Sequence, residues 1–337
     1  FGTAVIARWL QKYGYRVAVV PQPNWRDDLR DFKKLGAPRL YFGVNSGAMD
    51  SMVNHYTAAK RLRSDDAYTP EGRAGQRPDY AVTVYTKILK QIWPEVPVVI
   101  GGIEASLRRF THYDYWQDCL KPSILVESGA DWLCYGMGER PMIELTKAIE
   151  AGRNLNDIRK IPQIGFYMDG RCRLKDAVVL NSYERCCKDK PAFAENFHVI
   201  ETYANMMYPP VLVEPVGDGY VQINPTFPPA TEKEMDAVWD LPFTKLPHPR
   251  YKGKHIPAFE MIKFSINTHR GCFGGCNFCT IAAHQGKFIQ SRSEESIIAE
   301  IKALGDLPGF AGNISDVGAP TANMYGMKGK NPELCAK

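Results

Sequence analysis

Three cysteines close together in the chain are the residues best suited to chemistry. Cys272, Cys276 and Cys279 stand in the segment RGCFGGCNFCT, with the spacing C-x-x-x-C-x-x-C. Three thiolates on one loop can hold three irons of a 4Fe-4S cluster and leave the fourth iron open. The open iron can chelate the amino and carboxylate groups of S-adenosylmethionine. An electron passed into the sulfonium would then leave a 5'-deoxyadenosyl radical.

Zinc and a closed ferredoxin-type cluster are the alternative interpretations of these cysteines. Tetrahedral zinc needs a fourth ligand, for which His269, His284 or Cys335 is available. A ferredoxin normally closes its cluster with a fourth cysteine. Neither site habitually uses this spacing, so the cluster with an open iron is favoured. Cys335 is interpreted as incidental, with a second cluster as its alternative role.

The composition is that of an ordinary globular protein. The 337 residues are 45% hydrophobic and 23% charged, enough for two or three cores. A formal net charge of +5 is a small excess and does not indicate nucleic acid. The longest apolar stretches fall short of the roughly 20 residues that span a bilayer. With nine cysteines, an odd count, and no signal-like start, we expect a cytoplasmic protein without a membrane span.

Hydrophobic periodicity predicts an α/β domain over residues 1–151. The predicted elements, in chain order, are helix 4–13, strand 17–20, strand 40–44, helix 80–93, strand 96–100, strand 131–135 and helix 139–151. Alternating helices and strands are typical of a doubly wound, mostly parallel sheet. The strand that should precede the first helix is missing, which suggests a chain shortened at its start.

The rest of the chain is predicted to form a connector and the opening of a barrel. Residues 152–257 are rich in proline and contain a predicted helix at 191–207 and a hairpin at 211–223. In residues 258–337, strand 262–266 leads into the cysteine loop. Helix 294–304 follows, capped by Ser291 or Ser293, and strand 309–316 ends at Gly318. This order is that of a β/α barrel.

The cysteine loop, with an aromatic residue before its last cysteine, resembles the radical S-adenosylmethionine superfamily. The resemblance implies that Phe278 contacts the adenine of the cosubstrate. It also implies that the strand end at Gly318 binds the amino group. The chain has Gly318-Ala319 where the family pattern has two glycines, which is a departure from that pattern.

More narrowly, the segments GGIEASLRRFTHYDYW, DDAYTP, IPAFEMIKFSI, IQSRSEESI and PTANMY resemble the YgiQ family of radical proteins. The resemblance implies a 4Fe-4S cluster, S-adenosylmethionine, an enzyme of unknown substrate and an electron donor such as flavodoxin or ferredoxin. No catalytic side chain is assigned. We expect a fragment that lacks both ends and is inactive alone. The alternative is a non-catalytic iron-sulfur or zinc protein.

The N-terminal segments GVNSG and VIGGIEAS are similar to cobalamin-binding domains of other radical enzymes. The resemblance implies that Ser46 contacts the lower nucleotide and that Gly101 and Gly102 allow its close approach. Tight turns at strand ends use the same residue types. We therefore expect an empty domain of this fold, with bound cobalamin as the alternative. Arg108 is expected to pair at the surface with an aspartate of its own segment.

Overall fold

The computed structural model describes residues 1–329, and the chain divides into two compact units. The sheet unit comprises Pro23–Asn54 and Arg77–Pro228. The loop unit comprises Phe1–Gln22, His55–Gln76 and residues 229–329. Within the described part of the chain, no helix combines the length and apolar composition that a membrane span needs.

Short helices occur in both units. In chain order they are α1 (Gly2–Lys12), α2 (Arg30–Lys33), α3 (Ser51–His55), α4 (Ala81–Ile92), α5 (Gly102–Leu107), α6 (Ile124–Ser128), α7 (Glu139–Glu150), α8 (Leu155–Ile158), α9 (Tyr183–Lys188), α10 (Lys190–Tyr203), α11 (Glu232–Trp239), α12 (Pro257–Ile262), α13 (Ile281–Gln285) and α14 (Glu294–Leu304). Two 3-10 turns lie at Pro70–Gly72 and Pro249–Tyr251.

The sheet unit is built around one large sheet. Its strands, with those of a small hairpin, are β1 (Phe42–Val44), β2 (Val98–Gly101), β3 (His112–Asp114), β4 (Cys119–Lys121), β5 (Trp132–Cys134), β6 (Ile164–Asp169), β7 (Val178–Val179), β8 (Leu212–Val216) and β9 (Gly219–Ile223). The order in the large sheet is β1-β2-β5-β6-β9-β8-β7, and β3 pairs with β4 in the hairpin. The fold is therefore the predicted α/β class.

Strand direction changes across the large sheet. β1, β2 and β5 are parallel, with Phe42 opposite Val98 and Val99 opposite Trp132. From β5 onward, β6, β9 and β8 pair antiparallel, and β7 returns to a parallel pairing with β8. Helix α4 covers the parallel part, where Tyr85 and Leu89 join the core formed around Ile100. The parallel half carries the strand ends on which a ligand site is expected.

The sheet extends beyond the predicted boundary at residue 151. The hairpin at 211–223 is present as β8 and β9, but it belongs to the same sheet as β2 rather than to a separate connector. All five residues of β9 are buried, so its backbone needs partners on both sides. The predicted strand 17–20 is wrong: those residues form no strand, and they belong to the loop unit.

The loop unit contains two small sheets, and the cysteine segment connects the two strands of one of them. The strands of this unit are β10 (Ser265–Asn267), β11 (His269–Arg270), β12 (Gln290–Ser291) and β13 (Asp316–Gly318). β10 and β13 are parallel, with α14 between them in the chain, as expected for a β/α unit. β11 and β12, which the cysteine segment connects, are antiparallel.

Helix α14 has the predicted bounds, while the flanking strands differ from the prediction. The Ser293 side chain accepts a hydrogen bond from the Ser296 amide and caps the helix. The first strand begins at Ser265 because α12, opened by Pro257, continues to Ile262. The last strand begins at Asp316 rather than at residue 309.

Candidate functional site

The cysteine loop is closed at its base by the β11 and β12 pair. His269 lies opposite Ser291, and Arg270 lies opposite Gln290, so the two ends of the loop are held together by backbone hydrogen bonds. The Cys272 amide donates to the carbonyl of Gly286 at 3.0 Å. The loop therefore leaves and re-enters the unit at one place, as a ligand loop requires.

Glycines shape the loop at two positions. Gly271 has φ +89°, and a Cβ there would collide with the carbonyl of Phe288. A Cβ on Gly274 would lie 3.3 Å from Sγ of Cys272 and 3.9 Å from Sγ of Cys276. The missing side chain of Gly274 thus leaves the space between two thiols open.

The third cysteine belongs to the same turn. The Cys279 amide donates to the carbonyl of Cys276 at 3.0 Å. Cys276 is exposed, and Cys272 and Cys279 are partly buried. Residues 1–329 contain no group of three or more His, Cys, Asp or Glu side chains already gathered as metal ligands, so the convergence of the three sulfurs stays a prediction. The soft thiol donors and the open space at Gly274 fit an iron-sulfur cluster.

The two residues predicted to contact the cosubstrate lie on different segments. Phe278 is 91% exposed, so the face of its ring is accessible to a ligand. Gly318 ends β13, and its carbonyl accepts a hydrogen bond from the Thr268 amide at 2.7 Å. A Cβ on Gly318 would be 3.7 Å from Asp316, an ordinary contact. The packing at Gly318 itself therefore does not demand glycine.

His269, proposed above as a zinc ligand, is engaged elsewhere. It is fully buried, with Nδ1 3.0 Å from the hydroxyl of Thr268 and Nε2 3.1 Å from the hydroxyl of Thr321. Burial lowers its pKa, which favours the neutral ring. Both ring nitrogens are thus used to brace the start of the loop. Cys335 lies outside the described residues.

Sequence reasoning missed Arg292, which supports the region where β11 and β12 close the cysteine loop. This arginine is 1% exposed. It donates to the carbonyl of Asn267 at 2.8 Å and to that of Ser296 at 2.9 Å, and it pairs with Glu300. An arginine between two serines in IQSRSEESI was the available signal, although its burial depends on the packing of α14 against β10.

In the sheet unit, Ser46 and the glycine pair lie at one edge. β1 and β2 are parallel, Ser46 follows the end of β1, and Gly101 ends β2. A Cβ on Gly102 would be 3.2 Å from Cβ of Asn45, and one on Gly101 would be 3.1 Å from the carbonyl of Cys134. Neighbouring protein atoms thus account for both glycines. Ser46 is 3% exposed, and its hydroxyl donates to the carbonyl of Met49.

A buried charge network lies beside this edge. Arg108 pairs with Asp50, not with an aspartate of its own segment, and both are buried. Glu104 is completely buried and accepts hydrogen bonds from the amides of Ser51 and Val82, each at 2.9 Å. Burial raises the pKa of Glu104, the charge of Asp50 raises it further, and Arg108 opposes both. The network joins the starts of α3 and α4 to α5.

Comparison with known proteins identifies the family. The family model described as Radical SAM N-terminal matches residues 1–265. The chain belongs to this family. The match ends before the cysteine loop, so the interpretation of the loop depends on the residues of the loop itself.

Named relatives agree with the resemblance to YgiQ. A UPF0313 protein of Porphyromonas gingivalis is 55% identical over 340 residues, which cover 100% of this chain and 54% of the relative. The UPF0313 protein YgiQ of Escherichia coli is 42% identical, covering 98% of this chain and 52% of the relative. The chain therefore spans about half the length of the curated relatives it matches.

Solved structures of TsrM, a radical S-adenosylmethionine methyltransferase from Kitasatospora setae, are similar to this chain. One, with tryptophan and an S-adenosylmethionine analogue bound, has a TM-score of 0.50 at 17% identity and covers 94% of this chain and 44% of that chain. Another, with cobalamin and a 4Fe-4S cluster bound, has a TM-score of 0.49 at 18% identity. The cobalamin and the cluster are those of that protein, so the expectation that the sheet unit of this chain is empty stays a prediction.

Proposed function

We propose that this chain holds the cluster loop of a radical S-adenosylmethionine enzyme, with Cys272, Cys276 and Cys279 as the cluster ligands. The observation that carries the proposal is the loop itself. Three thiols with the spacing C-x-x-x-C-x-x-C stand on a segment closed by β11 and β12, and two of them flank the open space at Gly274. When bound, a 4Fe-4S cluster supplies the electron that splits the sulfonium of S-adenosylmethionine.

The residues of the chain would have distinct tasks at this site. The three thiolates hold iron and leave one iron open to the cosubstrate. The exposed ring of Phe278 offers an apolar face for the adenine. The hydrogen bonds of His269 to Thr268 and Thr321 fix the strand from which the loop departs. The substrate is not assigned. The proposed electron donor is flavodoxin or ferredoxin in a reducing compartment.

A cluster or zinc protein without turnover is the alternative function. The zinc version needs a fourth ligand, and both ring nitrogens of His269 are already hydrogen-bonded. Ligation of zinc by one ring nitrogen would break the hydrogen bond to Thr268 or the one to Thr321. The geometry therefore favours the three-thiolate cluster over a zinc site completed by His269.

Anaerobic reconstitution with iron and sulfide tests the proposal. We expect about four irons per chain and a broad visible absorption, both lost in Cys272→Ala, Cys276→Ala or Cys279→Ala. Cys187→Ala is the matched control, because Cys187 is also exposed but lies far from the loop in the chain. The cluster is then reduced in the presence of S-adenosylmethionine, and release of 5'-deoxyadenosine would distinguish an enzyme from a non-catalytic binding protein. Stoichiometric zinc with no iron uptake would refute the cluster.

Cobalamin is a second candidate ligand, proposed for the carboxyl edge of the parallel strands in the sheet unit. The favouring observation is that Ser46 and the Gly101-Gly102 pair stand at the ends of the neighbouring parallel strands β1 and β2, and therefore at the same edge. Titration with hydroxocobalamin, followed by visible absorbance, should show saturable binding that Gly102→Val abolishes. Absence of a spectral change at one equivalent would leave the edge as a purely structural turn.

A further inference from the structure

We propose that Met324 is a positioning residue of the cluster loop, covering its Cys272 side and keeping the reduction potential of the cluster low. The inference rests on the proposed function, since it needs a cluster at this loop. It assigns a role to the PTANMY segment, which the cluster chemistry alone leaves without one.

Met324 is the buried member of an exposed segment. It is 8% exposed, whereas its neighbours Ala322 and Asn323 are exposed. Its methyl carbon lies 4.0 Å from the position that a Cβ on Gly274 would take. That same position is 3.3 Å from the sulfur of Cys272. The methyl group of Met324 thus borders the same space beside Gly274 that the sulfurs of Cys272 and Cys276 border.

Hydrogen bonds hold Met324 in place from both sides. Before it, the hydroxyl of Thr321 bonds the ring of His269 on β11. After it, the Tyr325 hydroxyl donates to the carbonyl of Arg292 at 2.9 Å, and the Gly326 amide donates to the hydroxyl of Ser291 on β12 at 3.0 Å. The strand pair that closes the cysteine loop therefore also anchors the segment that carries Met324.

An apolar cover changes the energetics of reduction. Reduction adds negative charge to a cluster, and water or hydrogen-bond donors near its sulfurs stabilise that charge and raise the potential. A methionine methyl offers no donor and excludes water from the surface it contacts. The position beside Gly274 that the Met324 methyl approaches is nearer to the sulfur of Cys272, at 3.3 Å, than to that of Cys276, at 3.9 Å, so the shielding is assigned to the Cys272 side.

The test compares a polar and an apolar replacement of similar size. Wild type, Met324→Gln and Met324→Leu are reconstituted anaerobically, and their midpoint potentials are measured by EPR-monitored redox titration. We expect Met324→Gln to shift the potential in the positive direction and Met324→Leu to keep the wild-type value. Equal potentials in all three proteins, each with full iron content, would overturn the inference and leave the proposed function standing.

A second measurement covers variants that fail to load iron. In the apo protein, Met324→Ala should speed alkylation of Cys272 by iodoacetamide, with the rate at Cys187 unchanged as an internal control. An unchanged rate at Cys272 would contradict the covering role. Failure of the wild type itself to take up iron and sulfide would instead refute the proposed function, so the two failures are distinguishable.

Discussion

Replacing Arg108 with methionine should strongly destabilise the sheet unit. Met keeps much of the aliphatic volume but removes the guanidinium that pairs with Asp50, whose side chain is 6% exposed. The carboxylates of Asp50 and Glu104 would then share a buried space without this cation. Removing one partner of a buried ion pair costs about 3–5 kcal/mol, because the other charge is left desolvated.

A double-mutant cycle separates charge pairing from other effects. Asp50→Asn keeps an oxygen to accept the amides of Met52 and Val53, so it removes mainly the charge. Urea unfolding followed by circular dichroism should give a coupling free energy of about 0.5–3 kcal/mol between Arg108→Met and Asp50→Asn.

An exposed pair in the same unit provides the control. Arg30 and Asp28 are 79% and 65% exposed, so Arg30→Met should change stability by less than about 1 kcal/mol. If Arg108→Met costs no more than Arg30→Met, the buried network does not stabilise the unit and the reasoning fails.

Three further outcomes are expected. Burial raises the pKa of Glu214 to about 7, above its unfolded value of about 4.3. The folded state therefore holds a proton that the unfolded state releases, and stability falls as pH rises from about 4.3 through 7, by on the order of 3 kcal/mol. Glu214→Gln should flatten that part of the urea-unfolding profile, and an unchanged slope would contradict the assignment. Gly274→Ala should lower the iron content per chain after reconstitution, because the new Cβ would press on the sulfur of Cys272. Gly275→Ala is the control, because no atom lies within 4 Å of a Cβ at that position. Equal iron contents in the two variants would show that crowding at Gly274 does not limit cluster binding. Thr231→Ala should cost about 1 kcal/mol by removing the capping box of α11, and Thr231→Ser should retain most of it, as thermal unfolding would show.

Elements stabilised by nearby residues were predictable from the sequence. Helix α14 has the predicted bounds and one of its two predicted caps, Ser293, because capping and the apolar face are local properties. Helix α4 and the parallel strands β1, β2 and β5 were also found close to their predicted positions. The cysteine spacing is local in the same sense, so it indicates the chemistry of the donors.

Long-range pairing was not predictable from these patterns. Residues 17–20 look like a strand, yet a strand exists only where another backbone supplies hydrogen bonds, and none is paired there. Conversely, β6 to β9 join the large sheet although their segment is rich in proline. Apolar alternation tells which residues prefer burial, but it does not tell which strand they pair with.

The sequence by itself indicated the chemistry of the cysteine donors, helices such as α4 and α14, and the strand ends near Ser46 and Gly101. Only the tertiary structure decided which side chains meet. Arg108 lies 58 residues from its partner Asp50, and Met324 lies 50 residues beyond the glycine whose empty space it faces. Such contacts depend on how helices and strands pack. A buried charge, for example, is stabilised by an opposite charge that the fold places beside it, however far apart the two residues lie in the chain.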